Sequence, residues 1–305
     1  MSQLSPITVL RQVSAAVPAS CRANIVIIGS LAAAYAFFRE DESRAVRTKD
    51  VDCVLEPFSA AVSAGQNIVR ELLDSGWQRR LMGDHQKPGD EHTPVGDLPA
   101  VRLYPPRVDP ASEEAWFLEF LTVPQSVEVA GKTWIRLPLR EGHFGLPAFR
   151  FLSISAYDPV EIKGLGIRHA RPQMMALANL LEHPRTGPEE MSSLIGGRTL
   201  KRSNKDLGRV LAIATLYDLD DYRPWASDWK QALESTFPEH WRELALRAGS
   251  GLRELLASRD DMDEALHSCV NGLLASQPPT LEALEAAGMR VIDDAIMALE
   301  ALAKA

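Results

Sequence analysis

The sequence predicts an α+β protein: a mixed β-sheet flanked by helices over residues 1–156, followed by an α-helical domain over 157–305. Strand-length apolar runs punctuated by Gly and Pro dominate the first half. From Asp158 onward, prolines mark helix starts and turns, and strand-like alternation nearly disappears. The 305 residues, 46% hydrophobic and 24% charged, suit one large or two ordinary globular domains. A net charge of −8 argues against a general nucleic-acid coat but leaves room for a local basic groove. Cys21, Cys53 and Cys269 form no CxxC pair, which points to buried thiols in a reducing cytoplasm and to neither a disulfide framework nor a zinc site. No charged segment followed by a long apolar run opens the chain, and 18 uninterrupted apolar residues occur nowhere, so a cytoplasmic protein without membrane contact is expected.

Residues 5–17 place Ile7, Leu10, Val13 and Val17 at near-helical spacing. The apolar run Ile25 to Ile28 then stops at Gly29-Ser30, an alanine-rich helical segment follows, and Arg47-Thr48 lead into a strand bearing Asp50 and Asp52. Alternation along that strand puts both acids on one face and Val51, Cys53 and Leu55 on the other. Residues 59–75 read as an amphipathic helix ending at Gly76, Trp77 to Met82 as the start of a strand, and 83–99 as a loop. Ala100 to Tyr104 and Trp116 to Val123 look like paired strands. In the second, Phe117, Glu119 and Leu121 share a face. Residues 127–139 suggest a hairpin turning at Gly131-Lys132, with a loop marked by Gly142, Gly145 and Pro147 and a last short strand over 149–155. A helix can begin at Pro159, although Gly164 and Gly166 each cost it about 1 kcal/mol. Further helices are predicted over 205–219, 226–235, 238–258, 260–276 and 280–303, with their leucines as core and Trp225, Trp229 and Trp241 as packing or a base-stacking surface.

Two adjacent carboxylates repel unless a cation sits between them, and hard oxygen ligands suit Mg²⁺ or Mn²⁺. Gly29-Ser30 at a helix start offers free N–H groups, a hydroxyl and no side chain on the glycine to block a phosphate. An acid in so apolar a strand as the one carrying Glu119 needs a reason, since a lone buried carboxylate is costly. It is either a ligand or an edge-strand residue facing water or pairing an arginine. Glu113 and Glu114 are loop alternatives. A basic cluster, Arg198, Lys201, Arg202, Lys205 and Arg209, stands around Asp206, fit for a polyanion or simply a solvated helix start.

Gly-Ser on a strand-to-helix turn followed by Asp-x-Asp on a strand resembles the nucleotidyltransferase signature of the DNA polymerase β-like superfamily. With Arg47, Asp50 and Asp52 in an Arg-x-x-Asp-x-Asp arrangement and nineteen residues between Ser30 and Asp50, the sequence looks most like the AbiEii-like abortive-infection branch, which includes toxins of toxin–antitoxin systems. The motif covers about a tenth of the chain. The resemblance implies a nucleotidyltransferase fold for the sheet region. It implies Asp50, Asp52 and Glu119 as catalytic and metal-binding acids, with two ions of Mg²⁺ or Mn²⁺ as the family's pattern, and Gly29, Ser30 and Arg47 as nucleotide-binding residues. Residues 157–173 look like the family's segment that brings a lysine, here Lys163, to the phosphates, with Arg168 and Arg171 nearby. Arg202-x-x-Lys205-Asp206-Leu207 resembles its Arg-x-Lys-Asp-Leu helix with one extra residue, and Lys205 and Asp206 match.

The implied reaction moves a nucleoside monophosphate from a nucleoside triphosphate such as ATP to an acceptor hydroxyl and releases pyrophosphate. The acceptor would be RNA, such as a tRNA 3′ end, or a protein, with a cognate antitoxin as a further partner. No sequence-specific DNA binding is expected. The alternatives are a small-molecule (antibiotic) nucleotidyltransferase, a non-catalytic nucleotide-binding homologue, and a helical interaction module with an α/β head.

Overall fold

The computed structural model describes residues 3–39, 41, 44–80, 87–109, 115–126 and 131–305. Its first half alternates strand and helix: β1 (Gln3–Leu4), α1 (Pro6–Ala16), β2 (Ile25–Ile28), α2 (Gly29–Phe38), β3 (Val46–Arg47), β4 (Asp50–Leu55) and α3 (Phe58–Asp74). Strands then predominate, with β5 (Gln78–Arg79), β6 (Arg102–Tyr104), β7 (Phe117–Thr122), β8 (Lys132–Leu139) and β9 (Gly142–Phe149). A short helix α4 (Leu152–Ser155) precedes β10 (Val160–Glu161) and β11 (Arg168–His169). The remainder is helical: α5 (Pro172–Glu182), α6 (Arg202–Thr215), α7 (Trp225–Thr236), α8 (Trp241–Arg247), α9 (Ser250–Leu256), α10 (Arg259–Val270), α11 (Leu281–Arg290) and α12 (Met297–Lys304). The fold is α+β, a mixed sheet flanked by helices with a helical C-terminal region.

The main sheet runs β10-β11-β2-β4-β7-β6-β5, with β9 joining β7 and β8 joining β9, while β1 and β3 form a separate ribbon. β4 lies antiparallel to β2 and parallel to β7, and this register sets Asp52 beside both Ile28 and Glu119. Because β4 has a neighbour on each side, its inward residues Val51, Cys53 and Leu55 have no exposure at all. α3 crosses that face where Gly65 comes within a methyl's reach of Leu55, its missing Cβ lying 3.1 Å from Leu55 Cδ1. One apolar core runs on from Leu10 and Ile27 through Leu118 to Leu211 and Leu284, so the two halves of the chain are packed as a continuous body. Among the described residues no helix is long and apolar enough to cross a membrane.

Three local expectations give way. The expected hairpin turn at Gly131-Lys132 is instead the start of β8, and the reversal falls at Arg140-Glu141, from which β8 and β9 pair from Leu139↔Gly142 to Lys132↔Phe149. The glycines read as a loop belong to β9, where they allow close approach: a Cβ on Gly142 would lie 2.7 Å from Pro88 Cβ, and one on Gly145 2.6 Å from Trp134 Cε3. The first arm of the expected hairpin, 127–130, lies outside the described residues, as do Leu81-Met82, residues 83–86 of the following loop, Glu113 and Glu114. Residues 149–155 end in α4 and form no further strand beyond Phe149.

The expected helix from Pro159 is the β10–β11 hairpin, because Gly164 and Gly166 take φ of +78° and +67°, values a right-handed helix does not use. β11 then adds parallel to β2, so strands continue past residue 157. α5 is a helix beyond those expected, and Pro172 at its first position with the apolar run that follows is a helix-start pattern. The segment 238–258 is divided into α8 and α9, whereas 280–303 is helical throughout, passing through a π-helical stretch at Val291–Ile296.

Candidate active site

β2 ends at Ile28, and the chain turns into α2 through Gly29, whose φ is +76°. A Cβ here would lie 2.8 Å from Asp52 Oδ2, so the glycine serves both the left-handed turn and the approach of the backbone to the acid. Ser30 follows on the wall of a cleft of about 1010 Å³, and Arg47, Lys49 and Asp50 line the same cleft from β3 and β4. Asp52 and Glu119 stand one register step behind Asp50, side by side on neighbouring strands. β7 is interior, between β4 and β6, so Glu119 is not an edge-strand residue. It is also paired: Arg102, directly opposite on β6, donates from Nη2 to Glu119 Oε1 at 2.7 Å. Glu119 thus shares its face with Asp52 and pairs an arginine from an interior strand.

The two aspartates differ electrostatically. Desolvation at the cleft floor works to raise the Asp50 carboxyl, but the Lys205 charge, a 2.8 Å hydrogen bond from Thr48 Oγ1 and the Arg209 charge outweigh it and hold Asp50 below the usual range. Asp52 is pushed well above that range by desolvation, then by Asp50 and Glu119, against which Arg209 and Lys205 give only partial relief. Asp52 is thus the point where negative charge is least compensated.

The opposite wall is helical. Lys205, Gly208, Arg209 and Ala212 line the cleft from one stripe of α6, and Ser268, Cys269 and Asn271 to Leu273 line it from the end of α10 and the residues after it. Gly208 permits this pairing, since a Cβ there would meet Ala265 O at 3.1 Å. Arg80, beyond β5, completes the rim with its guanidinium 3.7 Å from the Phe117 ring centroid. Five cations, Arg47, Lys49, Arg80, Lys205 and Arg209, therefore ring a cleft whose floor is acidic, on a protein of net charge −8. Sequence reasoning missed Lys49, Arg80 and the whole segment Met191 to Gly197. The signal for Arg80 was slight, a basic residue after a short strand.

Several predicted residues lie elsewhere. Lys163 is exposed in the β10–β11 turn. β11 runs parallel to β2, so that turn lies at the start of β2, while Gly29-Ser30 lie past its end. Lys163 is consequently at the opposite edge of the sheet from the cleft and is no phosphate ligand there. Arg168 pairs with Glu56 at 3.0 Å and Arg171 with Asp228 at 3.2 Å. Asp206 is buried and does not line the cleft. It accepts from His183 Nε2 at 2.9 Å and lies 3.4 Å from Lys205 Nζ, so it supports Lys205 from behind. Lys201 of the basic cluster is engaged with Asp261 at 2.7 Å, and of that cluster only Lys205 and Arg209 reach the cleft. Trp225 and Trp229 are fully buried packing residues, and Trp241 is half-buried beneath Lys230 and Arg242, so none offers a stacking face in the cleft.

The donor set suits a hard divalent cation. Asp52 has a raised carboxyl beside two further acids, and Asp50 opens directly on the cleft, which together form the kind of pair that holds Mg²⁺ alongside waters and phosphate oxygens. Among the described residues no three His, Cys, Asp or Glu side chains are gathered as ligands of a single ion. Glu119 already has a cation in Arg102, which engages its Oε1 at 2.7 Å, so an ion that joined it would meet a carboxylate already partly neutralised. No family model, curated protein or solved structure matches this chain.

Proposed function

We propose that this protein is a metal-dependent nucleotidyltransferase that transfers a nucleoside monophosphate from a nucleoside triphosphate to an acceptor hydroxyl. One observation carries the reading: Ser30 of the β2–α2 turn, Asp50 and five cations line a single cleft, and the strand register sets Asp52 and Glu119 side by side behind Asp50. A triphosphate carries the negative charge that such a ring recognises, and the acids beneath it supply a place for the cation that accompanies it. Mg²⁺ or Mn²⁺ held by Asp50 and Asp52 would neutralise charge on the phosphate oxygens during in-line displacement.

The chain's own residues do the rest. Ser30 and the start of α2 receive phosphate oxygens, Lys205 and Arg209 hold the phosphates from the helical wall, and Arg47, Lys49 and Arg80 hold them from the sheet side. The acceptor oxygen bonds to the α-phosphorus and the α–β bridging P–O bond breaks. Pyrophosphate leaves with that bond's electron pair, and the hydroxyl proton passes to the carboxylate cluster. The acceptor is RNA, such as a tRNA 3′ end, or a protein hydroxyl. A cytoplasmic toxin with a cognate antitoxin is the biological form of this reading that the AbiEii-like resemblance favours.

The test is incubation of the protein with each α-³²P-labelled nucleoside triphosphate, Mg²⁺ or Mn²⁺, and total cellular RNA, with Asp50→Ala/Asp52→Ala protein as control. Label moved to RNA or to protein by the intact chain alone supports transfer and identifies the acceptor class. No label moved to RNA, protein or small-molecule acceptors, with no nucleoside triphosphate bound in calorimetry, defeats it.

A further inference from the structure

The charges of the cleft are unevenly placed. Its cations and Asp50 lie on the sheet side and at Lys205 and Arg209 of α6, whereas one stretch of the lining is uncharged: Ala212 on α6, Ser268 and Asn271 to Leu273 at the end of α10, and Leu194 to Gly197 on the connection between α5 and α6. Of the cations, Arg47 adjoins that stretch, its backbone N–H donating to Gly272 O at 3.3 Å. A nucleoside triphosphate is uneven in the same way, with its charge on the phosphates and none on the nucleoside. The lining residues Lys205, Gly208, Arg209 and Ala212 follow one stripe of α6, and from Lys205 to Ala212 the helix rises roughly 10 Å. A nucleotide whose phosphates meet Lys205 and Arg209 has this uncharged stretch within reach of its nucleoside.

The connection is built into that stretch. Ile195 and Arg198 pair across a tight reversal at Gly196-Gly197, both glycines having positive φ. His267 Nε2 donates to Ile195 O at 2.8 Å, and Gly196 rests on the Asn271 side chain so closely that a Cβ would lie 2.6 Å from its carboxamide. The tip is thereby fixed to α10, and it holds Leu194 on the cleft wall with 63% of its surface exposed. A large apolar side chain held open on the uncharged stretch of an otherwise charged cleft is suited to the face of a base.

We propose that Leu194, with Ser268 and Asn271 of α10, forms the nucleoside-recognition wall of the site and contacts the base and ribose of the donor nucleotide. This rests on the nucleotidyltransferase reading of the same cleft. Leu194 is here a binding residue, and its removal acts on donor affinity.

The experiment is calorimetric titration of the full-length protein with inorganic triphosphate and with α,β-methylene analogues of each of the four nucleoside triphosphates, in Mg²⁺. Wild type is compared with Leu194→Ala and Ser268→Phe. Leu194→Ala should weaken the preferred nucleotide about tenfold, as expected for losing the burial of one leucine side chain, and leave inorganic triphosphate unchanged. Ser268→Phe, which fills the uncharged stretch, should abolish nucleotide binding and again spare inorganic triphosphate. Equal losses for both ligands, or no loss for either, overturn the wall. A loss of transfer at unchanged donor affinity also overturns it and gives this stretch to the acceptor. If wild type binds neither triphosphate, the transferase reading itself falls, a result distinguishable from all of these.

Discussion

The two ends of β2 carry similar chemistry and do different things with it. Past its last residue stand Gly29, at φ +76°, and Ser30; beside its first residues stands the β10–β11 turn, with Gly164 at φ +78° and Lys163. Each is a glycine turn with polar or basic neighbours, the kind of stretch that reads as a phosphate cradle. Only the first is crowded: a Cβ on Gly29 would press on Asp52, whereas one on Gly164 would meet nothing within 4 Å. Only the first also opens on the cleft to which α6 brings cations. A glycine turn therefore acquires a functional meaning from what the sheet register places against it.

The largest effect that would break this comparison is expected at Asp52. Asp52→Asn should take nucleotide transfer below detection in the α-³²P assay while leaving the thermal midpoint equal or higher, because the carboxylate it removes is destabilised by burial and by Asp50 and Glu119. An unfolded Asp52→Asn protein would make the acid cluster part of the scaffold. Next in size is the contrast between lysines. Lys205→Ala should weaken triphosphate binding roughly 10–100-fold, the scale of a charge-assisted hydrogen bond, and Lys163→Ala should leave it unchanged. Equal effects in calorimetry would mean that the two ends of β2 share one ligand.

The glycines sharpen the comparison at smaller scale. Gly29→Ala and Gly164→Ala both force a side chain into left-handed backbone, each at a cost of about 1–2 kcal/mol. In denaturant titrations Gly29→Ala should cost more, because its methyl must displace Asp52, and it alone should reduce transfer. If both substitutions cost the same and neither alters transfer, the close approach of Gly29 to Asp52 has no catalytic meaning.

The sheet side of the site was legible in the sequence because it is local. Gly29, Ser30, Asp50 and Asp52 fall within one strand–turn–helix–strand run, and alternation alone predicts that the two aspartates share a face. Glu119 was found by its incongruity in an apolar strand, but its arginine was not, since pairing Arg102 with Glu119 depends on cross-strand register over seventeen residues of separation. The helical wall was half legible. Lys205 stands out through the Lys-Asp-Leu resemblance, yet its place in the basic cluster alone does not distinguish it from Lys201, which turns to Asp261 on α10. Lys163 misled because a helix expected from Pro159 would have carried it, and two positive-φ glycines made a hairpin there. Arg80 and the Leu194 connection arrive at the cleft only through tertiary packing, which no window of sequence displays.

The smallest expected effect on transfer concerns how Lys205 is held, and it separates Lys205 from the exposed Lys163 by pH. The Asp206 carboxyl is buried, which works to raise it, but the Lys205 charge, the His183 hydrogen bond and the Arg209 charge prevail and hold it well below the usual range. A folded-state value below the unfolded aspartate value of about 3.9 means that the unfolded chain binds more protons in acid. The stabilisation from Asp206 is therefore fully present well above that pH and is lost as pH falls through and below it. Asp206→Asn should flatten the acid limb of stability against pH below about pH 5 by up to one proton, about 1.4 kcal/mol per pH unit. It should also weaken triphosphate binding less than Lys205→Ala does, since the cation remains and only its support is lost. An acid limb identical to wild type would show that Asp206 is not ionically engaged. Nucleotide affinity falling as far as in Lys205→Ala would show that the carboxylate acts in the cleft itself and not from behind the lysine.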